Sequence, residues 1–139
     1  MTTVLLADDH AAVRAGLTML FDATPDIRVV ATCTDGDEVV GAAERTRPDV
    51  VLMDLRMRRV DGLTATRLLL AAQPEARVVV LTGSPSREAV LGARAAGSRG
   101  LLVKGLAPGI LVDQVRCVAA GGTAWCPEAI TLAEVGGRR

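Results

Sequence analysis

Val50-Val51-Leu52-Met53, closed by Asp54, is the stretch that decides the fold. A run this short and apolar throughout suits a strand buried on both faces, as in a parallel sheet covered by helices. Working outward, the same design recurs. Val4-Leu5-Leu6-Ala7 runs into Asp8-Asp9, Val78-Val79-Val80-Leu81 into Thr82, and Gly100-Leu101-Leu102-Val103 into Lys104. Strand-like segments fall at 3–7, 27–32, 50–53, 77–81 and 100–103, with helical periods near 11–23, 37–47, 63–72, 86–97 and 108–121. In the first helical segment Val13, Leu17, Leu20 and Phe21 share one face, and Pro25 stops it. Asp35-Gly36-Asp37 opens the second and Arg47-Pro48 closes it. Pro85 and Pro108 stand near the starts of the fourth and fifth, and Gly97 follows the end of the fourth. Five repeats of strand then helix imply an α/β doubly wound parallel sheet with right-handed crossovers and helices on both faces.

In such a sheet the carboxyl ends of the strands share one edge, and ligands bind there. Three carboxylates (Asp8, Asp9, Asp54), the Thr82 hydroxyl and the Lys104 ammonium then converge on one pocket. Lys104 is the only lysine beside fifteen arginines, which sets a compact ammonium here apart from composition drift. A hard cation such as Mg²⁺ takes one or two carboxylates together with waters and a phosphate. Without it, three converging carboxylates repel, and at least one holds a proton at raised pKa. With it they stay ionised, and one can act as a nucleophile that accepts a phosphoryl group. Such a transfer needs positioning and charge neutralisation more than covalent help. Lys104 suits one phosphoryl oxygen, Thr82 can donate to another, and Gly83 leaves room for the incoming group.

The bulk composition narrows the field. With 139 residues, half of them hydrophobic and 23% charged, the chain reads as one globular domain with a real core. Sixteen acids balance sixteen bases, so no net field points to nucleic acid or an anionic membrane. Phe21 and Trp125 are the only aromatics, too few for a base-stacking platform. Cys33, Cys117 and Cys126 form an odd set without CxxC spacing, against a disulfide framework or zinc site. Cys117 falls on an apolar helical stripe and is expected to be buried. The N-terminus lacks signal-peptide character, and no apolar run approaches the ~18 residues that span a bilayer. The expected setting is cytoplasmic. Residues 122–139, with Trp125, Pro127, Ile130, Leu132 and Val135, read as a tail: either a linker toward a further domain or a capping segment.

At these residues the chain resembles the receiver domain of two-component response regulators, the CheY-like family, and within it the NarL/FixJ-type subgroup. LLADDHAAVRAGL, DGDEVVGAAERTRPDVVLMDLRM, VVVLTGS and AAGSRGLLVK carry the likeness in that order and cover essentially all of residues 3–122. The resemblance implies a flavodoxin-like (βα)5 sheet of strand order 2-1-3-4-5, with a receiver domain over residues 1–121. It implies that Asp54 accepts a phosphoryl group from a sensor histidine kinase. Asp8, Asp9, Asp54 and the main-chain carbonyl of Arg56 would hold Mg²⁺ (or Mn²⁺), Thr82 would be the switch hydroxyl and Lys104 the phosphate-binding amine. It further implies transcription regulation through a DNA-binding domain outside these residues, and homodimers formed through a phosphorylation-sensitive face.

The chain departs from that pattern at named positions. Arg58-Arg59 replaces the usual Pro-Gly after the acceptor, Leu101 replaces the switch Tyr or Phe, and Gly105 stands where many receivers place proline. Leu101 and the Arg-rich loop motivate a rival reading, a phosphorylation-independent interaction module. Arg56, Arg58 and Arg59 read first as a solvated face and second as a steering patch for phosphoanions. His10, the sole histidine, reads as a surface residue at a helix start rather than a ligand. Nucleotide-binding Rossmann and flavodoxin readings fail because acids follow the first strand where glycines or hydroxyls are needed. A corrinoid-binding domain fails at Val13, where its motif needs glycine, and an aspartate-nucleophile phosphatase fails at Arg56, where a second acid is needed.

Overall fold

The computed structural model of the chain describes residues 1–127 and Thr131; Ile130, Leu132, Val135 and the closing Gly-Gly-Arg-Arg lie outside the described residues. The elements run β1 (Thr2–Ala7), α1 (Ala11–Asp22), β2 (Ile27–Cys33), a 3₁₀ turn (Gly36–Glu38), α2 (Val39–Thr46), β3 (Val50–Asp54), α3 (Gly62–Ala72), β4 (Val78–Thr82), α4 (Arg87–Ala96), β5 (Gly100–Val103), α5 (Pro108–Ala119) and β6 (Ala124–Trp125). Every strand pairs in parallel with its neighbours, in the order β2-β1-β3-β4-β5-β6. The expected order 2-1-3-4-5 is present, lengthened by a sixth strand from the segment read as a tail.

All five residues of β3 and of β4 are buried, as central strands between two helical layers require. Alternation along the strands feeds two cores. Leu6 and Leu52 pack with Phe21 of α1 and with Leu111, Val115 and Val118 of α5. Leu5, Val51 and Met53 pack with Val39 and Ala43 of α2 and Ala65 and Leu69 of α3. Each Leu, Val or Phe buried in this way contributes roughly 1.5–3 kcal/mol.

Local chemistry sets the helix ends. The Asp61 side chain accepts from Thr64 N–H at 2.8 Å to open α3, and Ser86 accepts from Ala89 N–H at 3.0 Å to open α4. Gly97, in the left-handed region at φ 92°, ends α4. The second helical segment begins with the 3₁₀ turn and stops where Arg47 takes φ 46°, so only Val39–Thr46 of it is α-helix.

Cys117 departs from expectation. It is exposed, its Sγ 3.5 Å from the Thr123 carbonyl oxygen. The inward row of α5 is Leu111, Val115 and Val118; Cys117 precedes Val118 and so points about 100° away from it.

The sixth strand is held by Ala124 N–H donating to the Arg99 carbonyl at 2.9 Å and Cys126 N–H to Leu101 at 3.0 Å. From α4 the Arg94 guanidinium lies 4.8 Å from the centroid of the Trp125 ring, a cation–π contact. Gly100 permits this docking, because a Cβ there would run into the Ala124 carbonyl. Gly100→Ala should therefore lower stability by about 1–3 kcal/mol and red-shift the emission of Trp125, the only tryptophan. Unchanged emission at full stability would show that β6 does not dock at this edge.

Candidate functional site

The carboxyl edge of the sheet collects the polar groups. Asp8 follows β1, Asp54 ends β3, Thr82 ends β4 and Lys104 follows β5. Strand register brings them together: Ala7 pairs with Met53, Asp54 with Leu81, and Thr82 with Val103. Asp8, Asp54 and Thr82 are 2%, 3% and 4% exposed, so their polar atoms must find partners within the site.

Lys104 Nζ sits 3.0 Å from Asp8 Oδ2 and 3.0 Å from Asp54 Oδ1. One ammonium thus divides itself between two carboxylates. Asp9 joins the cluster, and ligand atoms of Asp8, Asp9, His10 and Asp54 all lie within 4.8 Å of one another. His10, set aside on sequence, is exposed, yet its Nδ1 lies 3.1 Å from Asp8 Oδ1 and 3.0 Å from Asp9 Oδ1. Its position directly after the acid pair was the available signal.

The buried Asp54 Oδ2 has no hydrogen-bond partner. Asp8 Oδ2 lies against the Lys104 ammonium and Asp9 Oδ1 against His10 Nδ1, both without hydrogen-bond geometry. Orphaned carboxylate oxygens converging on one point are the donor set of a hard divalent cation. The residues present fit Mg²⁺.

The electrostatics agree. Burial pushes the Asp54 carboxyl above its ordinary value of 3.8, and the Asp8 charge adds to this against the pull of Lys104. Burial works to lower Lys104, but the Asp8 and Asp54 carboxylates outweigh it and hold the amine above its usual 10.5.

Thr82 lies in the same cleft but faces elsewhere. Its hydroxyl donates to the Ser84 carbonyl at 3.1 Å and accepts from Ser84 N–H at 3.2 Å. His10, Asp54, Arg56, Thr82, Gly83 and Lys104 line this cleft. Arg59 does not face it. Its guanidinium forks onto Asp37 at 2.8 and 3.1 Å, so the steering reading loses that residue. Leu101, at the switch-aromatic position, is fully buried. Gly105 takes φ 88°, which a proline, fixed near −65°, cannot adopt. Two residues have a place in the site that the sequence does not show. Gly62 lies against the Asp54 carbonyl with no room for a Cβ, and Asp35 is a buried acid outside the cluster. Asp61 before Gly62 marks a helix start, but nothing in the sequence marks that contact.

A parallel α/β sheet with clustered acids, a hydroxyl and an ammonium at its carboxyl edge is a place for a divalent cation and an anion to enter together. The family model described as response regulator receiver domain matches residues 4–116, and the chain belongs to that family. It is similar to the transcriptional regulatory protein LiaR of Bacillus subtilis, 36% identical over 121 residues, which cover 87% of this chain and 57% of that protein. It is 37% identical over 121 residues to the response regulator GacA of Pseudomonas aeruginosa, covering 87% of this chain and 56% of GacA. Among solved structures, a LuxR-family two-component response regulator from Aurantimonas sp. SI85-9A1 superposes with TM-score 0.89 at 32% identity, covering 96% of this chain and 97% of that one. The chain spans about half the length of these curated relatives. It is thus a receiver domain of two-component signalling, a class that binds Mg²⁺ at clustered acids and takes phosphoryl groups from histidine kinases. Among the described residues no helix is long and apolar enough to cross a membrane.

The raised pKa of Asp54 carries a sign for stability. A carboxyl whose folded value exceeds its unfolded one destabilises the fold when ionised, and the penalty fades as pH falls through the folded value. Asp54→Asn should therefore raise Tm in EDTA at pH 7 by several degrees, roughly 1–2 kcal/mol. The advantage should shrink as pH drops through the Asp54 titration. Thermal unfolding of both proteins between neutral pH and pH 4 checks this; a lower Tm for the variant at pH 7 would contradict it.

Proposed function

We propose that Asp54 is the phosphoryl acceptor of this domain, with Asp8, Asp9, Asp54 and the Arg56 main-chain carbonyl holding Mg²⁺ or Mn²⁺. The observation that carries it is the orphaned Asp54 Oδ2 beside an ammonium that already touches the same carboxylate. When bound, the cation supplies charge neutralisation for the acids and the phosphoryl oxygens.

The chain's own groups do the rest. An Asp54 oxygen attacks phosphorus, the phosphorus–nitrogen bond of a phosphohistidine donor breaks, and the nitrogen keeps the bonding pair. Lys104, released from the carboxylate that becomes an acyl phosphate, neutralises a phosphoryl oxygen from its present position. Thr82 gives up its two bonds to Ser84 and donates to another oxygen. Ser84 stands two residues before Ser86, the cap of α4, so this turn re-poses the start of that helix.

The energy is of the right size. Reversing an equilibrium from 1:99 to 99:1 takes about 5.5 kcal/mol, and a few charge-assisted hydrogen bonds give roughly 1.5–3 kcal/mol each. The partner is a sensor histidine kinase. The output is transcription regulation through a DNA-binding domain beyond these residues, as the relatives' names and lengths suggest. Residues 1–121 form the receiver proper, residues 122–139 lead toward that output, and the switched face pairs two copies.

Incubation with Mg²⁺ and acetyl phosphate, followed by intact mass, tests the reading. The wild type should gain one phosphoryl group and Asp54→Asn none. A wild type that stays unmodified with several donors would favour a phosphorylation-independent interaction module.

A further inference from the structure

Asp35 lies two residues past β2, outside the acid cluster, and is only 2% exposed. Among the described residues its carboxylate forms no ion pair with a side chain within 4.0 Å. Its carboxylate instead gathers backbone N–H groups: Oδ1 accepts from Gly36 at 2.8 Å and from Val60 at 2.8 Å, and Oδ2 accepts from Arg59 at 2.9 Å. Two of these three donors belong to the loop between β3 and α3, the loop that leaves Asp54 and carries Arg56. Burial alone would raise the Asp35 pKa, but the N–H groups of Arg59, Val60 and Gly36 outweigh it and hold the acid below 3.8. It is a charged anchor throughout the physiological range.

The surroundings are built around that anchor. Gly36 packs so closely on the Val60 carbonyl that a Cβ would not fit. Nearer the acceptor, Leu55 N–H donates to the Leu81 carbonyl at 2.9 Å, and Gly62 N–H closes back onto Leu55 at 2.9 Å. Met57 is buried in the core shared by α2 and α3. The loop is therefore fixed at both ends and in the middle, and Arg56 lies between two of the fixed points. Outside, the exposed Arg59–Asp37 fork spans the same two loops in solvent.

We infer that Asp35 is a positioning residue for the acceptor site: by holding the Arg59 and Val60 amides it sets the pose of the β3–α3 loop, and through it the Arg56 carbonyl and the Asp54 carboxylate. This rests on the reading of Asp54 and Arg56 above. Groups that orient metal ligands from behind typically change metal affinity about 10–100-fold when removed. The exposed Arg59 fork, screened by water, should matter far less.

The test is Mg²⁺ titration calorimetry on wild type, Asp35→Ala, Asp35→Asn and Arg59→Ala. Asp35→Ala should weaken Mg²⁺ binding by at least about tenfold. Asp35→Asn, which keeps an accepting oxygen, should recover most of that, and Arg59→Ala should stay within about threefold of wild type. With acetyl phosphate, the loss in Asp35→Ala should shrink as Mg²⁺ is raised to saturation. Mg²⁺ affinity in a folded Asp35→Ala equal to wild type would overturn the inference, whatever its Tm. Should Asp35→Ala not fold, hydrogen exchange on the wild type decides, because coupling between the loop and the metal site is reciprocal. Mg²⁺ should slow exchange of the Arg59 and Val60 amides, and unchanged exchange would overturn the inference. A wild type that takes up no Mg²⁺ would instead overturn the site reading on which this one stands.

Discussion

The Lys104 ammonium brings one positive charge to a site that holds three carboxylates, and it touches only two of them, Asp8 and Asp54, at 3.0 Å each. A compact ammonium can divide between carboxylates on different strands, whereas a planar guanidinium would fork onto one. The shortfall of charge leaves the edge ready for a cation. Asp54 keeps an orphaned oxygen and a raised pKa, and Asp8 Oδ2 and Asp9 Oδ1 lie against Lys104 and His10 without hydrogen-bond geometry. Such a cluster is costly in the free protein and relieved by whatever cation and anion enter it together. In the proposed reaction Lys104 already stands against the Asp54 carboxylate, so a new charge there would be met without moving the amine far.

Everything beneath that edge is arranged to keep it in place. β3 and β4 are buried end to end, so Asp54 and Thr82 are presented by a dry, close-packed layer that does not yield. The small residues serve the same end. Gly62 lets α3 begin against the Asp54 carbonyl, and Gly36 lets the β2–α2 loop meet Val60. The departures from the usual receiver pattern fall into place on this scaffold. Gly105 occupies a left-handed turn after Lys104, and Arg59 ties its loop to Asp37 where a Pro-Gly pair would have stiffened it covalently.

What the sequence displayed was whatever periodicity and strand ends carry. The runs before Asp8, Asp54, Thr82 and Lys104 gave the strands, the sheet edge and the clustering of the site. Hydrogen bonds between distant loops leave no such trace. In the sequence Asp35 is no more than part of a helix-opening Asp-Gly-Asp; its bonds from Arg59 and Val60 come from a distant loop. β6 is two residues long, too short for any alternation to mark it. Cys117 was misplaced because a stripe three or four residues wide tolerates an error of one position, which on a helix is about 100°. Thr82 was placed correctly, but its present bonds to Ser84 depend on loop geometry that no local pattern encodes.

The burial of Leu101 bears on how a change at this edge can travel. An aromatic there could swing between inward and outward poses, but Leu101 is fully enclosed, paired with Val80 on one side and Trp125 on the other. It has nowhere to turn. The route left open runs along the backbone: Thr82 is bonded both ways to Ser84, and Ser86 caps α4 two residues later. On the same helix Arg94 stacks over Trp125 of β6. A displacement of α4 would meet a cation–π contact worth about 0.5–1 kcal/mol at an exposed site, small beside the few kcal/mol that the proposed phosphorylation would bring. An aromatic ring thus stands one strand over from Leu101, on β6, in contact with α4.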